Sequence, residues 1–202
     1  MRREKTDSCA GLKIALAFLT TFAFAVAAPI FGYSGNYDRA VTTVILVRHA
    51  EKMTEPNNPT PNPDPDLSPA GVARAQEIVR MFGDAEITAI YATQYKRTVQ
   101  TVKPLADKLR VAITQVNSKN TADVVNQIRT KHAGEVIFVS GHNTTVPEII
   151  NGLGGPKLPI IPETEFDNLY ILTIDSAGKT DLVKLRYGSA IPVPVSKPMM
   201  QP

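Results

Sequence analysis

The chain has 202 residues, of which 43% are hydrophobic and 20% charged, and this balance excludes a disordered chain and fits one globular domain with a sizeable core. The formal net charge is +3; the first 27 residues hold four basic and two acidic residues, which leaves 18 basic and 17 acidic residues in the remainder. Because this remainder lacks a concentrated basic stripe, we predict no nucleic-acid partner.

The N-terminal segment has the three-part pattern of an export signal. Basic residues come first, an apolar stretch covers residues 14–26, and small residues follow up to Ala28. We therefore predict a signal peptide over residues 1–28, a linker over residues 29–40, and a periplasmic or extracellular location.

The alternative for this segment is an uncleaved membrane anchor over residues 14–31. Its length of 18 residues approaches the roughly 20 that are needed to span a bilayer. Only in that case do we expect contact with a membrane. The single cysteine, Cys9, would be lost with a cleaved signal, which excludes disulfides and cysteine nucleophiles from the mature domain.

The rest of the chain alternates strand-like and helix-like patterns. In chain order these predict a strand over 41–47, a helix over 69–82, a strand over 87–92, a helix over 95–109 with a break or kink near Pro104, a strand over 111–116, a helix over 122–132, a strand over 135–140, a helix from after Thr145 to Gly152, and strands over 169–174 and 182–187. Such alternation predicts an α/β fold, a three-layer α/β/α sandwich around a mainly parallel sheet, with one domain over residues 41–190.

Two proline-rich stretches interrupt this alternation. Residues 56–65 hold five prolines and form an extended loop after the first strand, either as a surface connection or as the rim of a pocket. The tail over residues 191–202 is proline-rich as well, and we assign it no activity.

The first predicted strand carries two functional side chains at its carboxyl end. Its apolar run over residues 44–47 is followed directly by Arg48 and His49. In open α/β sheets, ligands bind in the crevice beyond the carboxyl ends of the strands. The position makes Arg48 and His49 candidate site residues, although by itself it also fits a solvated strand end.

Two later strands end in a similar way. One is followed by a helix whose first turn holds Arg97, an unfavourable place for a cation unless an anion lies between it and the helix amides. The strand over 135–140 leads into His142. Three strand ends of this kind predict one pocket for a doubly charged phosphate, formed by Arg48, His49, Arg97 and His142.

These side chains suit phosphoryl transfer without a metal. Guanidinium groups bind phosphate oxygens in bidentate fashion and stay charged. An imidazole attacks phosphorus through an unprotonated nitrogen, and we expect Arg48 and Arg97 to lower the pKa of His49. The alternative, a metal held by His49 and His142, lacks an acidic triad and would set two arginines against a cation. We predict neither a metal nor another cofactor.

Four motifs, in this order, resemble those of the histidine phosphatase superfamily, the phosphoglycerate mutase-like group. They are residues 46–52 (LVRHAEK), residues 67–71 (LSPAG) with Arg74 and Ala75, residues 93–101 (TQYKRTVQT) and residues 141–143 (GHN). The resemblance extends over about residues 41–187 and implies the phosphoglycerate mutase-like fold of a compact, branch-1-type member. It implies that His49 is the nucleophile that becomes phosphohistidine, and that the phosphate is bound by Arg48, Arg97, His142 and Asn143.

The resemblance leaves the acid that protonates the leaving group unassigned. Many members carry a long insertion between the second arginine and the second histidine that supplies a glutamate donor, but only 44 residues separate Arg97 and His142 here. In another branch an aspartate follows the second histidine, where this chain has Asn143. The candidates that remain open are Glu51, Glu148, Glu163, Glu165 and Asp167.

The short interval also bears on the substrate. A pocket without a lid excludes water poorly, which favours hydrolysis over mutase chemistry. We expect a phosphomonoester on a phosphorylated small molecule or an envelope component. One alternative is the activity of the similarly compact SixA phosphohistidine phosphatases, which act inside cells, and another is a non-catalytic domain that binds a phosphorylated ligand. The sequence leaves the oligomeric state open.

Overall fold

The computed structural model describes residues 41–55 and 58–189. The predicted signal or anchor, the linker over residues 29–40 and the tail over residues 191–202 lie outside the described residues. Within the described ranges, no helix is both long enough and apolar enough to cross a bilayer.

Six strands and four helices follow one another in the predicted order. They are β1 (Thr42–Arg48), α1 (Pro69–Phe82), β2 (Ile87–Thr93), α2 (Lys96–Leu109), β3 (Ile113–Val116), α3 (Thr121–Lys131), β4 (Val136–Gly141), α4 (Thr145–Gly152), β5 (Asn168–Ile174) and β6 (Thr180–Arg186). Every predicted element is therefore confirmed, with ends that differ by no more than two residues.

Helix α2 was predicted to break or kink near Pro104. It continues as one helix through Pro104 to Leu109, so a break is absent. A proline removes one helical hydrogen bond and crowds the preceding turn, which ordinarily breaks or kinks a helix. Here Val102, Leu105 and Ala106 are buried in the core around that turn, and their packing holds the helix together across the gap in its hydrogen bonds.

The strands form one sheet in the order β3-β2-β4-β1-β5-β6. Strands β1 to β4 are parallel to one another, whereas β5 runs antiparallel to β1 and β6 antiparallel to β5. The sheet is thus mainly parallel, as predicted, with an antiparallel hairpin at one side. Because β5 runs against its neighbour, its first residues lie at the sheet edge where the parallel strands end.

Helices cover both faces of the sheet and give three layers. Along β1, Val44 and Leu46 pack into a cluster with residues of α3 and α4, while Ile45 and Val47 pack into a second cluster with residues of α1 and α2. The alternation follows from the two-residue period of a strand, which sends successive side chains to opposite faces. Since both faces are buried, β1 is apolar along most of its length up to Arg48.

Candidate active site

The sheet topology brings the predicted site residues together at one edge. Strands β1 and β4 are parallel neighbours in which Arg48 lies opposite Gly141, and the amide of His49 donates to the carbonyl of Gly141 at 2.8 Å. The imidazoles of His49 and His142 consequently meet edge to face, with ring centroids 5.4 Å apart. Strand β2 lies on the other side of β4 and leads into the helix that carries Arg97.

A polar cavity of about 290 Å³ opens at this edge. Three of its lining side chains are permanent cations, and among the described residues Glu163 contributes its only carboxylate. The lining consists of Arg48, His49, Lys52, Tyr95, Arg97, Ser118, His142, Asn143, Thr144, Thr145 and Glu163. All four residues of the predicted phosphate pocket, and Asn143 with them, thus line one cavity.

His49 is held in a defined tautomer. Its Nδ1 lies 2.8 Å from the carbonyl oxygen of Ala50, which can only accept, so Nδ1 carries the proton and donates. In the neutral ring Nε2 then carries the lone pair. Burial, with smaller contributions from the neighbouring cations Arg48 and Arg97, lowers the pKa of His49 to about 3. The predicted direction is confirmed, although burial contributes more than the arginines do.

The backbone that carries His49 is fixed by helix α2. The amide of Ala50 donates to the hydroxyl of Thr101 at 2.9 Å, and that hydroxyl donates to the carbonyl of Arg97 at 2.7 Å. Ala50 and Thr101 are both fully buried. The two segments that supply His49 and Arg97 are therefore joined directly through hydrogen bonds that water cannot replace.

His142 is positioned by hydroxyl groups. Its Nε2 lies 2.8 Å from Thr93 Oγ1, which in turn lies 2.8 Å from Thr98 Oγ1. Its amide donates to Thr145 Oγ1 at 2.8 Å. Burial lowers the pKa of His142 to about 4, with Arg97 and Arg48 adding to the effect. Thr93 ends strand β2 and so reaches the imidazole from the neighbouring strand.

The guanidinium of Arg48 is anchored to the loop before β5. Its Nη1 donates to the carbonyls of Pro162, Glu163 and Glu165 at 2.8, 3.0 and 3.1 Å. Its Nη2 pairs with the carboxylate of Glu163 at 2.7 Å, and its Nε is buried without a partner among the described residues. The ring of Phe166 lies 4.2 Å from the guanidinium carbon. Arg48 is thus rigidly oriented and retains one free buried donor.

Arg97 lies in the first turn of α2, as predicted. Its guanidinium carbon lies 4.3 Å from the centre of the Tyr95 ring, and Nη1 lies 3.5 Å from the carboxylate of Asp64. That carboxylate also accepts from the amide of Lys96 at 3.0 Å, so an anion does lie at this helix start. Asp64 belongs to the proline-rich loop, which therefore borders the site. The Nε of Arg97 is buried and has no partner in the described part of the chain.

Two of the candidate acids lie outside the cavity lining. Glu51 forms an ion pair with Arg74, whose guanidinium is 5% exposed, at 2.7 Å. Glu148 is exposed on α4, where its carboxylate accepts from Thr121 Oγ1 at 3.3 Å. These contacts give Glu51 a role in holding α1 against the end of β1, and they give Glu148 no contact with the site.

The remaining acids lie on the loop before β5. Glu165 and Asp167 both pair with Arg186 of β6 and do not line the cavity. Glu163 does line it, with one carboxylate oxygen on Arg48 and the other accepting from Asn143 Nδ2 at 2.7 Å. Of the five candidate carboxylates, the structure therefore brings only that of Glu163 into the cavity with the predicted phosphate residues.

Several lining residues were not singled out from the sequence. Lys52 and Tyr95 lie within the motifs at residues 46–52 and 93–101 but had been given no role, whereas Ser118 and Thr144 carry no signal that separates them from ordinary surface residues. If the antiparallel direction of β5 had been predicted, the loop before β5 could have been placed beside the carboxyl ends of the parallel strands, and so at the site. Among residues 41–55 and 58–189, no group of three His, Cys, Asp or Glu side chains is arranged to hold a metal ion.

Comparisons with known proteins agree with this geometry. The model of the histidine phosphatase superfamily (branch 1) matches residues 44–118, a segment that includes Arg48, His49 and Arg97. No curated protein matches the chain in sequence.

Solved structures share the fold at low sequence identity. The protein histidine phosphatase SixA complexed with tungstate is 14% identical with a TM-score of 0.55, covering 71% of this chain and 96% of that one. Bacillus stearothermophilus YhfR is 15% identical with a TM-score of 0.58, covering 70% and 95%. A mycobacterial glucosyl-3-phosphoglycerate phosphatase is 10% identical with a TM-score of 0.54, covering 70% and 97%.

The matched motifs and the shared fold confirm the phosphoglycerate mutase-like α/β/α sandwich that the sequence predicts. The family model also supports phosphatase activity. Over residues 44–118 the chain is therefore similar to the histidine phosphatase superfamily (branch 1).

Proposed function

We propose that the protein is a metal-independent phosphatase that hydrolyses a phosphomonoester through a phosphohistidine intermediate on His49. The observation that carries this proposal is the tautomer of His49: the bond from Nδ1 to the Ala50 carbonyl leaves the lone pair on Nε2. Because burial also lowers the pKa of His49 to about 3, that nitrogen is unprotonated at neutral pH. A buried, fixed and unprotonated imidazole is what nucleophilic attack on phosphorus requires.

The reaction has two steps. Nε2 of His49 forms a bond to phosphorus while the ester bond breaks and its electron pair remains on the leaving oxygen. A water molecule then attacks the phosphohistidine, the P–N bond breaks, and its electron pair returns to Nε2. The protein contributes in-line positioning and compensation of charge on the equatorial oxygens.

The donors around His49 support the binding of a phosphoryl group. Arg48 and Arg97 each have a buried Nε without a partner among the described residues, and a buried donor without a partner is destabilising unless a ligand satisfies it. His142 and Asn143 complete the polar lining of the cavity. Three permanent cations and one carboxylate give that lining a net positive charge, which suits a phosphate dianion.

The N-terminal segment and the open cavity bear on the substrate and its location. The predicted signal or anchor over residues 1–28 supports a substrate outside the cytoplasm, in the periplasm or medium. We infer a phosphorylated small molecule or an envelope component, reached through a cavity that is open to solvent. The fold likeness to SixA, a protein histidine phosphatase, favours phosphohistidine as the second candidate substrate.

Covalent labelling tests the proposal. Purified protein without residues 1–28 is exposed briefly to a phosphoester labelled with ³²P, quenched, and examined for protein-bound label that is stable in base and labile in acid. We expect label on the wild type and none on His49→Ala. His132→Ala, which alters the histidine outside the cavity, is the matched control and should be labelled.

Two results would contradict the proposal. The first is an absence of label and of hydrolysis over a broad panel of phosphoesters. The second is hydrolysis that persists in His49→Ala. Vanadate binding that is lost in Arg97→Ala, in a protein without turnover, would instead identify a non-catalytic domain that binds a phosphorylated ligand.

A further inference from the structure

Glu163 differs from the other candidate acids in its position at the cavity. Among the described residues it supplies the only carboxylate of the lining, while the other four candidate acids do not line the cavity. It reaches the site because β5 is antiparallel to β1, so the loop before β5 lies at the edge where β1 and β4 end. Its position therefore follows from the topology of the sheet.

The backbone of Glu163 is fixed, while its side chain is largely exposed to solvent. The carbonyls of Pro162, Glu163 and Glu165 all accept from Nη1 of Arg48, which is 1% exposed. The side chain of Glu163 is 74% exposed. The carboxylate of Glu163 is thus attached to a fixed backbone and lies in contact with solvent at the mouth of the cavity.

The carboxylate of Glu163 contacts the donors that a phosphoryl group would use. Oε2 lies 2.7 Å from Nη2 of Arg48, and Oε1 accepts from Nδ2 of Asn143 at 2.7 Å. A phosphoryl group that binds these donors displaces the carboxylate but leaves it beside a dianion.

We propose that Glu163 is the acid that protonates the leaving group, an assignment that rests on the proposed function. As Nε2 of His49 bonds to phosphorus, the ester bond breaks, and the O–H proton of Glu163 moves to the leaving oxygen. Glu163 becomes a carboxylate and in the second step accepts a proton from the water that attacks the phosphohistidine. The loop before β5 thus supplies the acid that neither a long insertion nor position 143 provides in this chain.

The dependence on the leaving group tests this role. The wild type, Glu163→Gln and Glu148→Gln are compared on 4-nitrophenyl phosphate, whose leaving group is stable without a proton, and on glycerol phosphate, whose leaving alkoxide is not. For Glu163→Gln we expect kcat/KM to fall about 100-fold or more on glycerol phosphate and less than about threefold on 4-nitrophenyl phosphate. Glu148 is an exposed glutamate of α4 outside the cavity, so Glu148→Gln should have the kcat/KM of the wild type on both esters.

Vanadate binding and thermal unfolding of Glu163→Gln establish that the variant is folded with an intact pocket. A second measurement needs no variant: in the wild type, kcat on glycerol phosphate should fall at alkaline pH while kcat on 4-nitrophenyl phosphate does not. A shared alkaline fall on both esters would overturn the assignment.

The remaining outcomes also decide the matter. If Glu163→Gln loses kcat/KM equally on both esters, Glu163 is a positioning residue. If the variant gains kcat/KM equally on both esters and binds vanadate more tightly, Glu163 only competes with the ligand for Arg48. Either result overturns the proposal while leaving phosphohistidine chemistry on His49 intact. A wild-type protein that forms no phosphohistidine and hydrolyses neither ester would overturn the proposed function itself, and this inference with it.

Discussion

Acid pH is the perturbation that separates the buried His49 from an ordinary histidine. The pKa of His49 is lowered to about 3, against an ordinary value of 6.5, mainly because the ring is 4% exposed and its charged form is desolvated. We therefore expect His49 to remain a nucleophile well below neutral pH.

The size of the effect follows from the two pKa values. At pH 5 about 99% of a group with a pKa of 3 is unprotonated, but only about 3% of a group with a pKa of 6.5. The fraction of His49 in the unprotonated, reactive form would thus differ roughly 30-fold between the two pKa values. A shift of this size corresponds to roughly 5 kcal/mol of differential stabilisation of the neutral ring.

Two measurements check this expectation. The first is kcat/KM between pH 7 and about 5, corrected for ionisation of the substrate. Protonation of His49 should change this corrected kcat/KM less than about twofold. The second is NMR titration of the imidazoles. The chain holds only three histidines, so the His132→Gln and His142→Gln variants assign the signals. The signal of His49 should show no titration down to about pH 4.5.

The same shifts predict that stability falls in acid. Below pH 6.5 the unfolded chain binds protons at His49 and His142, while the folded chain resists them until about pH 3 and 4. Stability is therefore fully present above pH 6.5 and is lost as the pH falls, at about 1.4 kcal/mol per pH unit for each histidine. Circular dichroism at each pH keeps activity loss separate from unfolding. A titration midpoint of His49 above about 5.5 in folded protein would refute the reasoning.

Three substitutions test other features of the site. Gly71→Ala would place a Cβ 2.1 Å from the Glu51 carbonyl, so we expect a loss of about 1–3 kcal/mol in urea unfolding together with reduced kcat/KM; an unchanged midpoint would contradict this close approach. Glu51→Gln leaves the buried charge of Arg74 unpaired and should lower the free energy of unfolding by about 3 kcal/mol. The ratio of kcat/KM for alkyl and nitrophenyl esters should stay constant. A changed ratio would show that Glu51 takes part in the chemistry. Thr93→Val removes the hydroxyl on His142 Nε2, and we expect kcat/KM to fall about tenfold with little change in unfolding; equal activity would show that the hydroxyl does not orient the ring.

The sequence predicted most of the fold because its patterns are local. Strand β1 is apolar along both faces. Helix α1 is preceded by Ser68, whose side chain caps the helix by accepting from the amide of Gly71, and it begins with Pro69 at the first helical position. Each signal requires only near neighbours in the chain, and the element boundaries accordingly agree to within two residues. The unbroken course of α2 through Pro104 could not be predicted in this way, since distant core contacts outweigh the local effect of the proline.

The residues of the site also differ in whether local sequence patterns predict them. Arg48, His49, Arg97 and His142 could be named from the sequence because each follows directly from a strand or begins a helix, and the carboxyl ends of parallel strands meet at one edge. By contrast, the choice of Glu163 over four other acids depends on the direction of β5 and on hydrogen bonds that span more than 100 residues of chain. The sequence therefore predicts the proposed nucleophile and the cations beside it. Which carboxylate faces them depends on the tertiary structure, because contacts between distant loops leave no periodic or local signal in the sequence.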